Sequence, residues 1–469
     1  MERRKIMSNE SSSFYKKVFK LALPIALQSM IVIGVNMLDT MMVGNLGDNP
    51  LNATSLANSF ISVFQIFCMG LGMGASVLVS RYWGIKLSAS DEKTSSEAST
   101  ALKQTITLML RLTIILATLF AIATYLIPEI IMKSYTKDMN VVKLGVKYFN
   151  YSIPTYYFVG LSLVITIVLR SVGQVMYPLI VSIGAFFVNF GMNYILIFGK
   201  FGAPKMGVAG AALGTLIARI FEVIMIGGYL LFYDKKIGYR LRHLFMNTKS
   251  LIKEYIRICI PVLISDGILA LGNNSVAQVI GHLGKSFTSA NAITSVTQQL
   301  SSVVITGVSQ AGAIVTGITL GEGDVKKTQK QGYKFFRLGL ILGVISATFI
   351  FIFSGAIIGF YKNVSPATVN KAHQLMNAIC IIVIFQGTNS IMTKGVLRGG
   401  GDTKILMLTD NIFLWILAIP LGFLAGFALK LSPFWIYICL KSDQIVKTFW
   451  AFSRLKSGKW IKKISTGAK

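Results

Sequence analysis

Five carboxylates, Asp39, Glu222, Asp266, Asp410 and Asp443, fall within long runs of apolar residues. An ionisable side chain inside a membrane-spanning helix costs roughly 2.5–3.5 kcal/mol on insertion scales, so each is a functional candidate unless a partner neutralises it. Two have such a partner on their own helix face: Arg219 precedes Glu222 by three residues and Lys447 follows Asp443 by four, spacings that suit structural ion pairs. Asp39 has no basic residue within a turn, and a lone carboxylate accepts a proton or ligates Na⁺ through oxygen. Its other reading is a structural hydrogen bond. Asn36 lies one turn earlier on the same face. Asp266 follows Pro261 by five residues; Asn273 continues its face, and Asn274 and Gln278 follow. The next run carries Gln298, Gln299, Ser301 and Ser302, too polar to face lipid. Together these read as a cavity wall in which Asp266 binds a coupling ion or substrate, the alternative being a polar helix contact. Asp410 serves either as a further cavity acid or as the partner of Arg398 or Lys394.

The elements that must position these residues are long apolar runs. Of 469 residues 53% are hydrophobic and 14% charged, against roughly a quarter charged in a soluble protein. A run of about 20 apolar residues crosses the hydrocarbon core as a helix, and every backbone amide must be satisfied within the span. Twelve such spans are expected, at 17–40, 53–79, 105–127, 143–169, 176–198, 207–232, 254–281, 288–318, 334–360, 372–396, 404–428 and 433–453. The net charge of +28 sits in short segments between them, not on a basic stripe interleaved with aromatics, which excludes nucleic acid as a partner. Most Lys and Arg fall on one side of the spans, including 1–16, 80–104, 234–257 and 322–337, so the positive-inside rule places both termini in the cytoplasm. The polar start, Met1 to Lys20, lacks the apolar core of a cleaved signal. The four cysteines lie in or beside apolar runs without metal spacing and read as small buried hydrophobes.

The second half repeats the first. Shifted by 237 positions, Pro24 meets Pro261, Asn36 meets Asn273, Gly44 meets Gly281, Gly70 meets Gly307 and Gly84 meets Gly321. Shifted by 228, Leu169-Arg170 and Gly173 meet Leu397-Arg398 and Gly401. The expected architecture is all-α and polytopic: two six-helix bundles related by a pseudo-twofold along the membrane normal. The expected domains are a cytoplasmic segment 1–16, an N-lobe 17–233, a linker 234–253, a C-lobe 254–453 and a basic tail 454–469. Gly70, Gly72 and Gly74 permit close helix packing.

These residues resemble the multidrug and toxic compound extrusion (MATE) family, in its bacterial branch, over essentially the whole chain. The resemblance rests on Pro24 with Asp39-Thr40-Met41-Met42-Val43-Gly44, on Gly70-Leu71-Gly72-Met73-Gly74-Ala75 and on Asn189 and Asn193 ahead of Leu196-Ile197-Phe198-Gly199. It continues in Leu397-Arg398-Gly399-Gly400-Gly401-Asp402-Thr403 and in Trp415 with Pro420-Leu421-Gly422. It implies a two-lobed exporter in the bacterial inner membrane, expelling small, mostly cationic organic compounds against Na⁺ or H⁺, with no other cofactor and acting as a monomer among lipids. Asp39 matches the acid of the family's N-terminal lobe, a candidate Na⁺ ligand, with Asn189 and Asn193 around it. Asn193 stands where some members carry a second acid. Asp266 lies one turn before the position of a common acid, occupied here by Leu269. Gln386 and Asn389 stand where members often have a polar residue and an acid. The rival reading is a lipid-linked saccharide flippase of the same superfamily, which needs cavity cations for a pyrophosphate; the acids here favour cationic cargo.

Other classes lack their signatures. Gly284-Lys285-Ser286 has Val279 where a phosphate-binding loop needs glycine. The histidines His243, His282 and His373 are too scattered for a metal site or a triad, so an enzyme is not expected, and no re-entrant filter pattern suggests a channel.

Overall fold

The structure, a computed structural model, describes residues 2–359 and 364–462. Residue 360, the expected end of one span, and the tail from 463 lie outside the described residues. Among the described residues no strand occurs. The N-terminal half contains α1 (Glu2–Gly44), α2 (Asp48–Ser88), α3 (Glu92–Leu126), α4 (Pro128–Tyr135), α5 (Met139–Ser152), α6 (Thr155–Ser171), α7 (Met176–Phe198) and α8 (Val208–Gly228). The C-terminal half contains α9 (Lys249–His282), α10 (Lys285–Gly321), α11 (Val325–Gly359), α12 (Pro366–Ser390), α13 (Thr403–Ile412), α14 (Ile419–Phe423), α15 (Pro433–Leu440) and α16 (Ser442–Lys456). The segment 1–16, expected as a polar cytoplasmic segment ahead of the first span, is helical from Glu2 and continuous with that span.

Ten helices among the described residues are long and apolar enough to cross a membrane, eleven if α5 and α6 form one bent span. The expected continuous span 143–169 is corrected to that pair, bent by 58°. Pro154, between them, has no N–H for a continuous helical ladder. The expected twelfth span, 433–453, is also broken: α15 ends at Leu440, the N–H of Lys441 bonds back to Tyr437 and Ile438, and α16 begins at Ser442. The span 404–428 is continuous but wide-turned, with π-helical stretches Phe413–Ala418 and Leu424–Ala428 on either side of α14, which carries Pro420. Widened turns accommodate the missing proline donor.

The chain divides into two compact units, one Leu27–Leu263 and the other Met1–Ala26 with Ile264–Lys469. Both breaks lie inside helices, α1 and α9, each two residues past a proline, Pro24 and Pro261. The 237-residue repeat thus extends to the places where the units divide. The 234–253 segment lies wholly inside the first unit. Its Asp234 carboxylate accepts the backbone N–H groups of Ile237 and Gly238, and Arg111 of α3 donates to the carbonyls of Leu244 and Met246. The first half of α9 also belongs to this unit because glycines admit it. A Cβ on Gly74 would stand 2.7 Å from the Cys259 Cα, and one on Gly70 would stand 3.0 Å from the Leu263 Cα.

In the other unit, Gly339 and Gly343 bring α11 onto the α12 backbone. Added Cβ atoms there would sit 2.8 Å from the Thr388 Cα and 2.7 Å from the Ile384 Cα. Where lipid surrounds the helices, such small-residue contacts supply association that a hydrophobic effect cannot. Gly343→Val should therefore lower the thermal unfolding midpoint in detergent, by a destabilisation of about 1–3 kcal/mol. Gly355→Ala on the same helix, where no atom lies within 4 Å of the added Cβ, should leave the midpoint within error. Equal midpoints for the two variants would contradict the packing account.

Candidate functional site

In the first unit, Asp39 lies five residues before the end of α1 and lines a cavity of about 280 Å³. The walls come from α1 (Asn36, Asp39, Thr40), α2 (Ser55, Asn58, Ser59, Ser62, Gln65), α5 (Tyr148, Ser152) and α8 (Thr215, Arg219). Asn193 of α7 donates its Nδ2–H to Asp39 Oδ1 at 2.6 Å and to Asn189 Oδ1 at 3.3 Å. Gly214 seats that amide, since a Cβ on it would overlap Asn193 Oδ1. The structure therefore brings Asp39, Asn193 and Asn189 together, with Asn36 on the cavity wall.

The cavity's hydrogen-bonding capacity is lopsided. Thr40, Ser59 and Ser62 donate their hydroxyl protons to carbonyls four residues back, at 2.7, 3.0 and 2.7 Å. Tyr148 spends its O–H on Asn58 Oδ1 at 3.1 Å, and the Arg219 guanidinium is bonded to Glu222 at 2.7 Å. The hydroxyls still offer oxygen lone pairs, beside the N–H donors of Arg219 and of the Asn36, Asn58 and Gln65 amides, around a carboxylate that is hydrogen-bonded by an amide and held in no ion pair. Such a wall suits a cation. At roughly 30 Å³ per water, the space accommodates an ion with several waters and falls just short of the 300–1,000 Å³ typical of drug pockets. The α2 stripe at 55, 58, 59, 62 and 65 and Tyr148 were missed in the sequence reading. The legible signal was a polar face at i, i+3, i+4, i+7 within an apolar run.

The second unit arranges its acids differently. Asp266 is held by Arg398, whose guanidinium nitrogens lie 3.0 and 3.4 Å from its two oxygens. This pair has a counterpart in the other half. Arg170, the repeat mate of Arg398, donates to Gln28, four residues after Pro24 as Asp266 is five after Pro261. Asp410, read either as a cavity acid or as the partner of Arg398 or Lys394, makes its ion pair with Lys447 at 3.4 Å, and Arg398 acts on it from a distance. Lys447 also holds Asp443 at 3.1 Å, and Arg219 holds Glu222, as their spacings suggested. Asn389 donates to Gln444 at 2.7 Å, and Gln444 donates to Asp443 at 2.7 Å. Through Gln444, Asp443 and Lys447 of α16, Asn389 and Asp410 thus join one network. Gln298 and Gln386 bond each other at 2.7 Å, and Tyr437 donates to Gln298. Asn273 and Asn274 are exposed on α9, apart from these groups.

Membrane-length helices, a polar cavity among them and an in-span acid held in no ion pair define a multi-pass membrane transporter. The MatE family model matches residues 24–195 and again 261–424, two matches whose starts differ by the same 237 positions as the internal repeat. The chain belongs to the MatE family, whose members are transporters and not enzymes. It is 24% identical over 456 residues to the uncharacterized transporter YisQ of Bacillus subtilis, covering 95% of each chain. It is 26% identical over 455 residues to the probable multidrug resistance protein NorM of Thermotoga maritima, covering 96% of this chain and 93% of the relative. The fold matches that of a MATE crystallised in complex with MaL6, with a TM-score of 0.84 at 17% identity, covering 95% and 97% of the two chains.

The two kinds of acid should respond oppositely to neutralisation. Lys447→Met leaves Asp410 and Asp443 buried without their cation and should destabilise by about 3–5 kcal/mol. Asp39→Asn removes a charge that is held in no ion pair and should leave the thermal midpoint unchanged or raised. Thermal denaturation of the purified variants decides it; a Lys447→Met protein as stable as wild type would contradict the pairing.

Proposed function

We propose that this chain is a secondary active multidrug exporter of the bacterial inner membrane. It expels small, mostly cationic organic compounds in exchange for Na⁺ or H⁺ by alternating access, as a monomer with both termini in the cytoplasm. The observation that carries the reading is Asp39, a carboxylate within a span that is hydrogen-bonded by the Asn193 amide, forms no ion pair and faces a cavity lined by several hydroxyl oxygens. A cation visiting that site offsets a cost the protein itself leaves uncompensated. The naming of the NorM relative as a probable multidrug resistance protein supports the cargo class. The distribution of Lys and Arg supports the orientation.

The physical sequence is short. With its site empty, Asp39 is a carboxylate whose best partner is the Asn193 amide, which ties α1 to α7. A proton on Asp39, or Na⁺ among Asp39 and the neighbouring hydroxyl oxygens, neutralises the charge and weakens its demand for that amide. A ligand shifts a conformational equilibrium only by its differential affinity for the two states, and the loosened α1–α7 tie is where that difference arises. Cargo bearing its own positive charge competes for the same neutralisation, so the two cannot be bound together and cation entry drives cargo release.

Asp39→Asn, which keeps the shape and removes the charge, should reduce drug resistance in an exporter-deficient host to the level of empty vector while membrane abundance stays the same. Wild-type resistance in that variant would remove Asp39 from the mechanism.

A further inference from the structure

The acids of the second unit form a closed account. Arg398 answers Asp266. Lys447 lies between Asp410 and Asp443, with only 3% of its side chain exposed. Lys441 stands within electrostatic reach of Asp443 and Lys447. The ammonium of Lys447 comes from the same helix as Asp443, one turn away, so its local concentration at the acid pair stays high whatever the bath contains. A free Na⁺ or proton must displace a tethered competitor that is already desolvated, paired to both acids and oriented by its own helix. Asp39 has no such competitor in contact with it: Arg219, on the same cavity wall, acts on it only from a distance and makes its ion pair with Glu222.

We infer that Lys447 is a resident counter-cation, whose ammonium permanently fills the Asp410–Asp443 pair so that the second unit takes up no exchangeable cation. Each cycle then carries a single coupling cation, on Asp39. This inference rests on the exchanger reading above and adds the number of ions and the residue that sets it. Lys447 is a positioning residue in this account: it touches neither cargo nor coupling ion, and it acts by keeping two acids from binding one. The Asn389–Gln444–Asp443 chain of hydrogen bonds fixes the acid pair against it.

The test counts cations bound by full-length purified protein in detergent. Sodium is read by isothermal titration with NaCl, and protons by indicator-dye uptake on acidification, each as the difference between variant and wild type. Wild type should bind one cation and Asp39→Asn none. Asp39→Asn combined with Lys447→Gln should regain one, because the acid pair then has no ammonium bonded to it and Lys441 acts on Asp443 only from a distance, and adding Asp443→Asn should abolish it again. Lys447→Arg, which keeps the charge, should regain nothing in the Asp39→Asn background. A merely structural Lys447 would alter stability without restoring uptake. The inference is overturned if Asp39→Asn alone retains a saturable uptake that Asp410→Asn or Asp443→Asn removes, or if the folded double variant regains nothing. Should the double variant not fold, the Asp39→Asn count decides. Failure of the exchanger reading looks different: wild type then binds no cation and Asp39→Asn changes nothing, and the inference falls with it.

Discussion

The structure depends on how charge is settled where water is scarce. Of the five acids singled out within its spans, four hold a lysine or arginine: Glu222 with Arg219, Asp266 with Arg398, and Asp410 and Asp443 with Lys447. Asp39 holds only the Asn193 amide. In a low-dielectric interior a paired acid is a strut, because removing either partner strands the other. An acid with only a neutral donor is an open position, and its energy is completed by whatever mobile cation arrives. The asymmetry between the two units follows from where the tethered cations sit, although the halves repeat one design.

That repeat explains much of the rest. The helix starting before Pro24 and the one starting before Pro261 each divide between the two compact units two residues past the proline. The arginines at 170 and 398, equivalent under the shorter shift, each reach a polar side chain four or five residues beyond the corresponding proline. Duplication placed the same arginine in both halves. The difference in its partner, a neutral glutamine in one and Asp266 in the other, decides whether a charge is consumed. Glycines at 70 and 74 in one unit and at 339 and 343 in the other do the packing that water would otherwise drive.

Much of this was legible in the sequence, for identifiable reasons. Long apolar runs and the placement of Lys and Arg mark the spans because lipid imposes length and polarity directly. The breaks at Pro154 and Lys441 were not legible, since hydropathy averages over a bent span as readily as a straight one. Local pairs were legible at helical spacing, as for Arg219 with Glu222 and Lys447 with Asp443. Arg398 with Asp266, 132 positions apart, and the bridge from Lys447 to Asp410 depend on which helices become neighbours, and no spacing rule reports that. Asp39 stood out because its own turn holds no cation. The polar α2 face opposite it was readable as a period of 3.6 but went unread beside the more conspicuous acids.

The most direct test of the central claim asks which in-span acid is available to a visiting cation. A hydrophobic carbodiimide modifies carboxyls that can hold a proton in an apolar setting, and peptide mapping by mass spectrometry locates the adducts. The account predicts labelling at Asp39, suppressed by the coupling cation or by an organic cation, with Glu222, Asp266, Asp410 and Asp443 shielded by their ion pairs. Labelling of Asp266, Asp410 or Asp443 at a rate equal to that of Asp39, or labelling of Asp39 that neither cation diminishes, would contradict it.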